Sequence, residues 1–170
     1  MSVLYISYDG MLEPLGQSQV LAYLRHLASN RTIHLISFEK REDWSNMVER
    51  ERLTRDIAAA GISWHPIRYH KRPTVLATTW DIANGLRVAL WLVLRHRLHI
   101  VHARSYIPSV ISLILKNLVG VRFIFDMRGF WADEKVDGGS WRQGSRIYQV
   151  TKWFERRFLL SADHVVSLTH

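Results

Sequence analysis

Residues 121–134 read VRFIFDMRGFWADE, an apolar, β-rich run over 121–125 that ends abruptly in Asp126, Arg128, Gly129, Trp131 and Glu134. A run that is nearly all apolar, rather than alternating, is the pattern of a strand buried on both faces of a parallel sheet. The residues after it then form the loop at the strand's carboxyl end, the edge at which open α/β sheets bind ligands. Charge delivered to that edge by a buried strand marks a candidate site. Two other runs, leading to Asp9 and to Arg104, do the same.

Outward from this stretch the chain alternates regularly. Residues 3–7, 32–38, 62–68, 99–103, 121–125 and 164–168 read as strands. Helical patterns fill 18–29, 41–60 (closed by Gly61), 74–97, 109–118 and 141–161, with Pro108 in a first turn, where its missing N–H costs nothing. The 74–97 helix is expected to break near Asn84 and Gly85, because glycine weakens a helix interior by about 1 kcal/mol. Strands alternating with helices mean βαβ units and right-handed crossovers. The expected fold is α/β: a Rossmann-like, doubly wound, mostly parallel six-stranded sheet in three α/β/α layers.

At 170 residues the chain supports one domain, 1–170, with a real core. It lacks cysteine, which excludes disulfides and thiolate chemistry and fits a reducing cytoplasm. The amino terminus has neither a basic leader nor a cleavage site. Residues 88–94 are too short to span a bilayer, and 106–125 are interrupted by Lys116, Asn117, Gly120 and Arg122, whereas a span needs about 20 apolar residues. A net charge of +8 favours anionic partners, but no nucleic-acid-binding motif is present, so nucleic acid is not the expected partner. The sequence stops at Thr169-His170, where a sixth strand should hand over to a loop, so the domain reads as cut from something longer.

Three loops are candidates for chemistry. In the first, residues 8–19, Gly16 precedes a helix, so backbone N–H groups of the first turn are placed to face an anion; the plainer reading is a glycine that tightens a strand-to-helix turn. Gly10 and Gly16 do not make a G-x-G-x-x-G dinucleotide fingerprint. In the second, His102 and Arg104 alternate with Val101 and Ala103 and so share a side. A strand histidine is commonly a satisfied core residue, but a buried arginine needs a partner, and its fork suits a carboxylate or another anion. In the third, Asp126 and Arg128 share a side, either as a loop-fixing ion pair or as a site, and Trp131 offers a face for a sugar ring or a lid on the core.

The last helix carries Ile147, Val150, Phe154 and Phe158 at helical spacing, expected to face the core. Arg142, Arg146, Trp153, Arg156 and Arg157 fall largely opposite, either as a solvated face or as a membrane-contacting stripe that residues 68–72 extend.

Taken together these residues resemble the amino-terminal domain of GT-B glycosyltransferases of the family 4 type. The resemblance covers essentially the whole chain. It is carried by the loop from Gly10 to Gln19, by residues 101–105 (VHARS), by 125–131 (FDMRGFW), and by 153–156 (WFER) with 160–169 (LSADHVVSLT). It implies two Rossmann-like domains across a cleft, the amino-terminal one holding a sugar or lipid-linked acceptor and the other a nucleotide-sugar. Transfer would proceed with retention and without a required metal or other cofactor. Gly16 matches the loop glycine whose backbone approaches the donor phosphate. Arg128 falls where many members carry a histidine that orients the transferring sugar; arginine cannot act as a general base.

The resemblance thus implies a transferase whose catalytic contacts are Arg128, Asp126 and His102, with no metal. Asp9, Gly16, Gln17, Arg104, Ser105, Trp131 and Glu134 are the expected substrate contacts, and Arg142, Arg146, Trp153 and Arg157 the expected membrane contacts. The E-x7-E pair that holds the donor is missing from this sequence. The chain is therefore expected to be the acceptor half of a retaining enzyme of polysaccharide or glycolipid synthesis, inactive alone and partnered by a carboxyl-terminal GT-B domain. The expected location is cytoplasmic, peripheral at the inner face of the membrane, against an anionic surface. The competing expectation is a stand-alone Rossmann-like module that binds an anionic ligand or nucleotide without catalysis.

Overall fold

The computed structural model of the chain describes residues 2–167. Strands β1 (Ser2–Ser7), β2 (Thr32–Glu39), β3 (Ile62–Arg68), β4 (Ile100–Arg104), β5 (Arg122–Met127) and β6 (His164–Ser167) form one sheet in the order β3-β2-β1-β4-β5-β6. Every neighbouring pair is parallel. A π-helical stretch (Gly16–Leu21) runs into α1 (Ala22–Ala28); α2 (Arg41–Trp44), α3 (Met47–Ala59), α4 (Thr74–His96), α5 (Tyr106–Val119), α6 (Trp131–Asp137) and α7 (Arg146–Ser161) follow.

The chain winds outward from β1 to β3, then returns to β4 and continues the other way. Right-handed crossovers in opposite directions place α1 and α3 on one face and α4, α5 and α7 on the other. The core follows the period-two alternation of the strands. Tyr5, Ile33 and Leu35 pack with Val20, Leu24, Leu53 and Ile57 on the first face. Their neighbours Leu4, Ile6, Ile36 and Phe38 pack with Ala89, Leu92, Ile111 and Leu115 on the second. Farther along that second face, Ala103, Phe123 and Phe125 meet Tyr106 and Phe158. The fold is the three-layer, doubly wound Rossmann-like architecture, and its sheet is wholly parallel.

Several element expectations are corrected. Strands β4 and β5 run on to Arg104 and to Met127, so Arg104 and Asp126 are strand residues, held in the ladder rather than on loops. The 41–60 helix is two helices, because Asn46 caps α3 by accepting from the Glu49 N–H at 3.3 Å. The 74–97 helix does not break at Gly85. A Cβ there would lie 2.8 Å from both Phe38 and Ile111, so the missing side chain is what lets α4 approach the sheet and α5. The expected 141–161 helix begins at Arg146, where Ser145 accepts from the Tyr148 N–H at 3.4 Å, and the separate α6 precedes it.

The expected core stripe of α7 holds in its second half, where Phe158 is buried and Phe154 packs against the same cluster, and fails in its first. Ile147 and Val150 are exposed, while Glu155 and Phe158 are buried. Nearer its start the inward side is polar because Tyr148 and Lys152 reach Asp133 of α6, at 2.8 and 2.9 Å, and Lys152 and Tyr106 both bond Glu155. Residue 168 of the expected sixth strand, and Thr169, lie outside the described residues.

Candidate active site at the carboxyl edge of β1, β4 and β5

The winding direction reverses between β1 and β4, and in doubly wound sheets the crevice outside the strand ends at such a point is where ligands sit. Register builds the site there. Tyr5 of β1 stands beside His102, and Ser7 beside Arg104, while Arg104 stands beside Asp126 of β5. These side chains share the α1 face of the sheet. Parallel pairing therefore brings an arginine, a histidine and a carboxylate together although they are far apart in sequence.

Arg104 is buried, and it is satisfied from three sides. Its Nη2 donates to Gln19 Oε1 at 2.7 Å and its Nε to Asp9 Oδ2 at 3.4 Å; Nη1 lies 3.7 Å from Asp126 Oδ2. A buried guanidinium without such partners would be strongly destabilising. Asp126 Oδ2 also accepts from Tyr5 Oη at 3.4 Å and lies 3.8 Å from His102 Nε2. Burial, and next the Asp126 carboxylate, hold the Tyr5 hydroxyl far above its ordinary pKa, so it stays a proton donor; the same two causes raise Tyr23. His102 lies between these rings, 4.6 Å from Tyr5 and 6.0 Å from Tyr23, and its buried Nε2 has no hydrogen-bond partner.

Arg128 is bound far more loosely. Its Nη1 lies 4.0 Å from Asp9 Oδ2, and its buried Nε has no hydrogen-bond partner. Asp9, the more exposed of the two carboxylates, is thus shared by both arginines. The cluster can hold an anion against Arg128 and accept a hydroxyl hydrogen bond at Asp9. Among the described residues no group of three or more His, Asp or Glu is placed to hold a metal ion.

The loop after β1 is held from beneath by Glu39, a buried carboxylate at the end of β2. It accepts the Met11 and Leu12 N–H groups at 2.8 and 3.2 Å and the Ser37 hydroxyl; burial keeps its pKa above the ordinary carboxylate value despite these bonds. Gly16 is buried, and a Cβ on it would lie 2.0 Å from the Gly10 carbonyl oxygen. Its lack of a side chain is therefore required by packing of the loop on itself. Gln17 reaches Glu49 of α3 at 3.5 Å, away from Arg104.

Ser105, between β4 and α5, adopts φ 71° and ψ −170°, a conformation that is nearly restricted to glycine. Its N–H is tied to the Asp126 carbonyl at 2.9 Å, which fixes this strained turn beside the site. Among the described residues no hydrogen bond or ion pair links Trp131 or Glu134 to Asp9, Arg104, Asp126 or Arg128. The Trp131 ring packs against Tyr106 and Trp141 at 5.7 and 5.0 Å, and Lys135 lies 5.9 Å from its centroid. Glu134 sits against Gly129, where a Cβ would lie 2.1 Å from its Oε1. Arg142, Arg146, Trp153 and Arg157 are exposed, with Arg157 over the Trp153 ring at 5.8 Å.

Sequence reasoning passed over Tyr5, Gln19, Tyr23 and Glu39. Only Glu39 carried a readable signal, an acid closing an apolar strand, the same mark that singled out Asp126.

Residues 17–170 match the glycosyl transferase 4-like domain family, and the chain belongs to that family. No curated protein sequence matches it. Similar solved structures include a sucrose-phosphate synthase from Thermosynechococcus elongatus (TM-score 0.62, 10% identity), which covers 97% of this chain and 41% of its own. MurG of Acinetobacter baumannii (0.57, 11%) and UGT89C1 of Arabidopsis thaliana complexed with UDP (0.56, 12%) each cover 99% of this chain and 42% of their own. At such identities the likeness is one of fold, that of GT-B glycosyltransferases. The chain spans about two-fifths of the length of each.

Proposed function

We propose that the chain is the acceptor-binding half of a retaining, nucleotide-sugar-dependent glycosyltransferase of polysaccharide or glycolipid synthesis. The observation that carries this reading is the Asp9–Arg104–Asp126–Arg128 cluster, set at the sheet's switch point with one arginine nitrogen buried and unpartnered. Membership of a glycosyltransferase family, and a span of about two-fifths of GT-B structures, support it.

In this reading Arg104 is a strut, its charge consumed by Asp9, Gln19 and Asp126. Arg128 is the working cation. It neutralises charge that develops on the leaving phosphate, a contribution that preorganised donors make most strongly in a dry site. Arginine cannot take a proton, so Arg128 orients and stabilises and does not act as a base. Asp9 accepts from an acceptor hydroxyl. Tyr5 bonds Asp126, which lies beside Arg104, and the unpartnered Nε2 of His102 is left to make a polar contact to the acceptor.

The test is transfer from a panel of nucleotide sugars by the 170-residue chain and by the full natural reading frame. Transfer is expected only from the longer product, and Arg128→Ala there should lower it by at least about 100-fold with the fold unchanged by circular dichroism. Undiminished transfer by Arg128→Ala sinks the role of Arg128. The same unpartnered nitrogen favours one alternative, a non-catalytic anion-binding module. No transfer by either product, with nucleotide diphosphate binding that Arg128→Ala abolishes, would establish that instead.

A further inference from the structure

We propose that the outer face of α4 is a docking surface for an anionic lipid bilayer, along which the helix lies in the plane of the interface. This proposal stands whether or not the chain takes part in sugar transfer, and it concerns a different element from the tryptophan and arginines of α7.

Leu76, Trp80, Trp91 and Leu94 are 70%, 62%, 57% and 62% exposed. At about 100° per residue they fall within one narrow stripe, and Arg87 lies in the middle of it. The two tryptophans point the same way about 16 Å apart along the axis, at roughly 1.5 Å per residue. Among the described residues no neighbouring element covers this stripe: the sheet and α5 pack against the opposite side, through Ala77, Asp81, Gly85, Ala89 and Leu92. Exposed aromatic and aliphatic side chains at both ends of one stripe, joined through Arg87, mark an interaction site.

Charge selects the partner. Lys71 and Arg72 precede the helix, and Arg95 and Arg97 close it. These cations and Arg87 are exposed, and none has an ion-pair partner among the described residues. The one acid of α4, Asp81, is wholly buried, bonding Tyr8 Oη at 3.0 Å and the His70 N–H and ring. Helix α5 has no acid, and the one acid of α7, Glu155, is buried. The outer surface of these three helices therefore exposes cations, aromatic rings and aliphatic chains, and no carboxylate.

Interfacial tryptophans beside aliphatic residues, ringed by arginines, suit a headgroup layer of negative charge. A second copy of this chain would bring the same cations face to face, since a two-fold interface uses one patch twice. A nucleic acid would satisfy the cations but leave Leu76 and Leu94 against water. Among the described residues no helix is long and apolar enough to cross a membrane, so contact would be lateral.

The test is co-sedimentation of the chain with phosphatidylglycerol–phosphatidylcholine vesicles at low salt, against pure phosphatidylcholine. Binding to the anionic vesicles is expected. Replacing Trp80→Ser together with Trp91→Ser should lower it at least about tenfold. Arg87→Gln with Arg95→Gln should lower it about fivefold for each charge removed. Trp153→Ser on α7 should leave it within about twofold. The chain has no cysteine, so Ala83→Cys carrying an environment-sensitive dye gives a second reading without touching a bulky residue. Its emission should shift blue on anionic vesicles, and a dye at Arg55→Cys on α3 should not shift. No vesicle binding by the unaltered chain overturns the proposal. So does loss confined to Trp153→Ser, or a dimer in solution that the Trp80/Trp91 variant dissociates.

Discussion

On one side of the sheet α3 holds its acids in water. Glu49 and Asp56 flank Arg52 on the surface, at 2.5 and 3.4 Å. On the other side α4 and α7 have drawn their acids inside, where Asp81 is bonded by Tyr8 and His70, and Glu155 by Tyr106 and Lys152. The same residue type is therefore solvated decoration in one layer and an internal bracket in the other. An internal bracket ties loops and helices to the sheet, and its removal from the surface leaves the outer sides of α4, α5 and α7 without a carboxylate.

The largest effect that separates the layers is expected at these acids. Asp81→Ala strands the Tyr8 hydroxyl and the His70 N–H, and should cost about 3 kcal/mol in urea denaturation. Asp56→Ala, which removes half of an exposed pair, should cost less than about 0.5 kcal/mol. Equal costs would break the comparison.

A smaller effect of opposite sign is expected where β4 turns into α5 of the cationic layer. Ser105→Gly relieves a backbone conformation that only glycine adopts freely, and should raise stability by about 1 kcal/mol in the same measurement. A loss of stability would mean that the serine hydroxyl contributes more than the strain costs.

The smallest effect is pH-dependent and lies at the opposite, amino edge of the sheet. There His34 stacks on His65 of β3, with ring centroids 5.5 Å apart, and meets His96 of α4 at 4.4 Å. Burial, then the neighbouring histidines, hold His34 and His65 below the ordinary value of 6.5. The unfolded chain then takes up protons first, so stability is full above about pH 6.5 and falls as the solution is acidified through it. His34→Gln should flatten that slope in denaturation curves taken from pH 7.5 to 5.5. An unchanged slope would move its origin to other groups.

The number of strands, their parallel pairing and the layering were legible because the central strands are short apolar runs and every crossover is long enough for a helix. The candidate site was half legible. An acid or an arginine closing an apolar run announced Asp9, Arg104 and Asp126, but the partners that satisfy them depend on register and helix placement, which composition does not encode. Tyr5 lay inside a strand and Gln19 at the end of the 8–19 loop, with nothing in the sequence to mark either as a partner of Asp126 or Arg104. Helix α7 misled for a related reason. Its hydrophobic stripe faces inward only at Phe154 and Phe158; nearer its start the inward side belongs to Tyr148 and Lys152, where a bonded polar network outweighs apolar periodicity. Gly85 misled in the other direction: helix propensity reads it as a weak point, whereas close packing of α4 on Phe38 makes it the point of nearest approach.

The contact between Gly16 and the Gly10 carbonyl has a consequence for how mutations in this loop would be understood. With no room for even a methyl group, any replacement at position 16 dislodges the loop that Glu39 anchors, and Asp9 moves with it. Loss of activity in such a variant would therefore be a mechanical failure of the scaffold, silent on whether the backbone there ever touches a phosphate. Ligand contact and scaffold damage come apart only at side chains such as Asp9 and Arg128, which can be shortened while the loop keeps its shape.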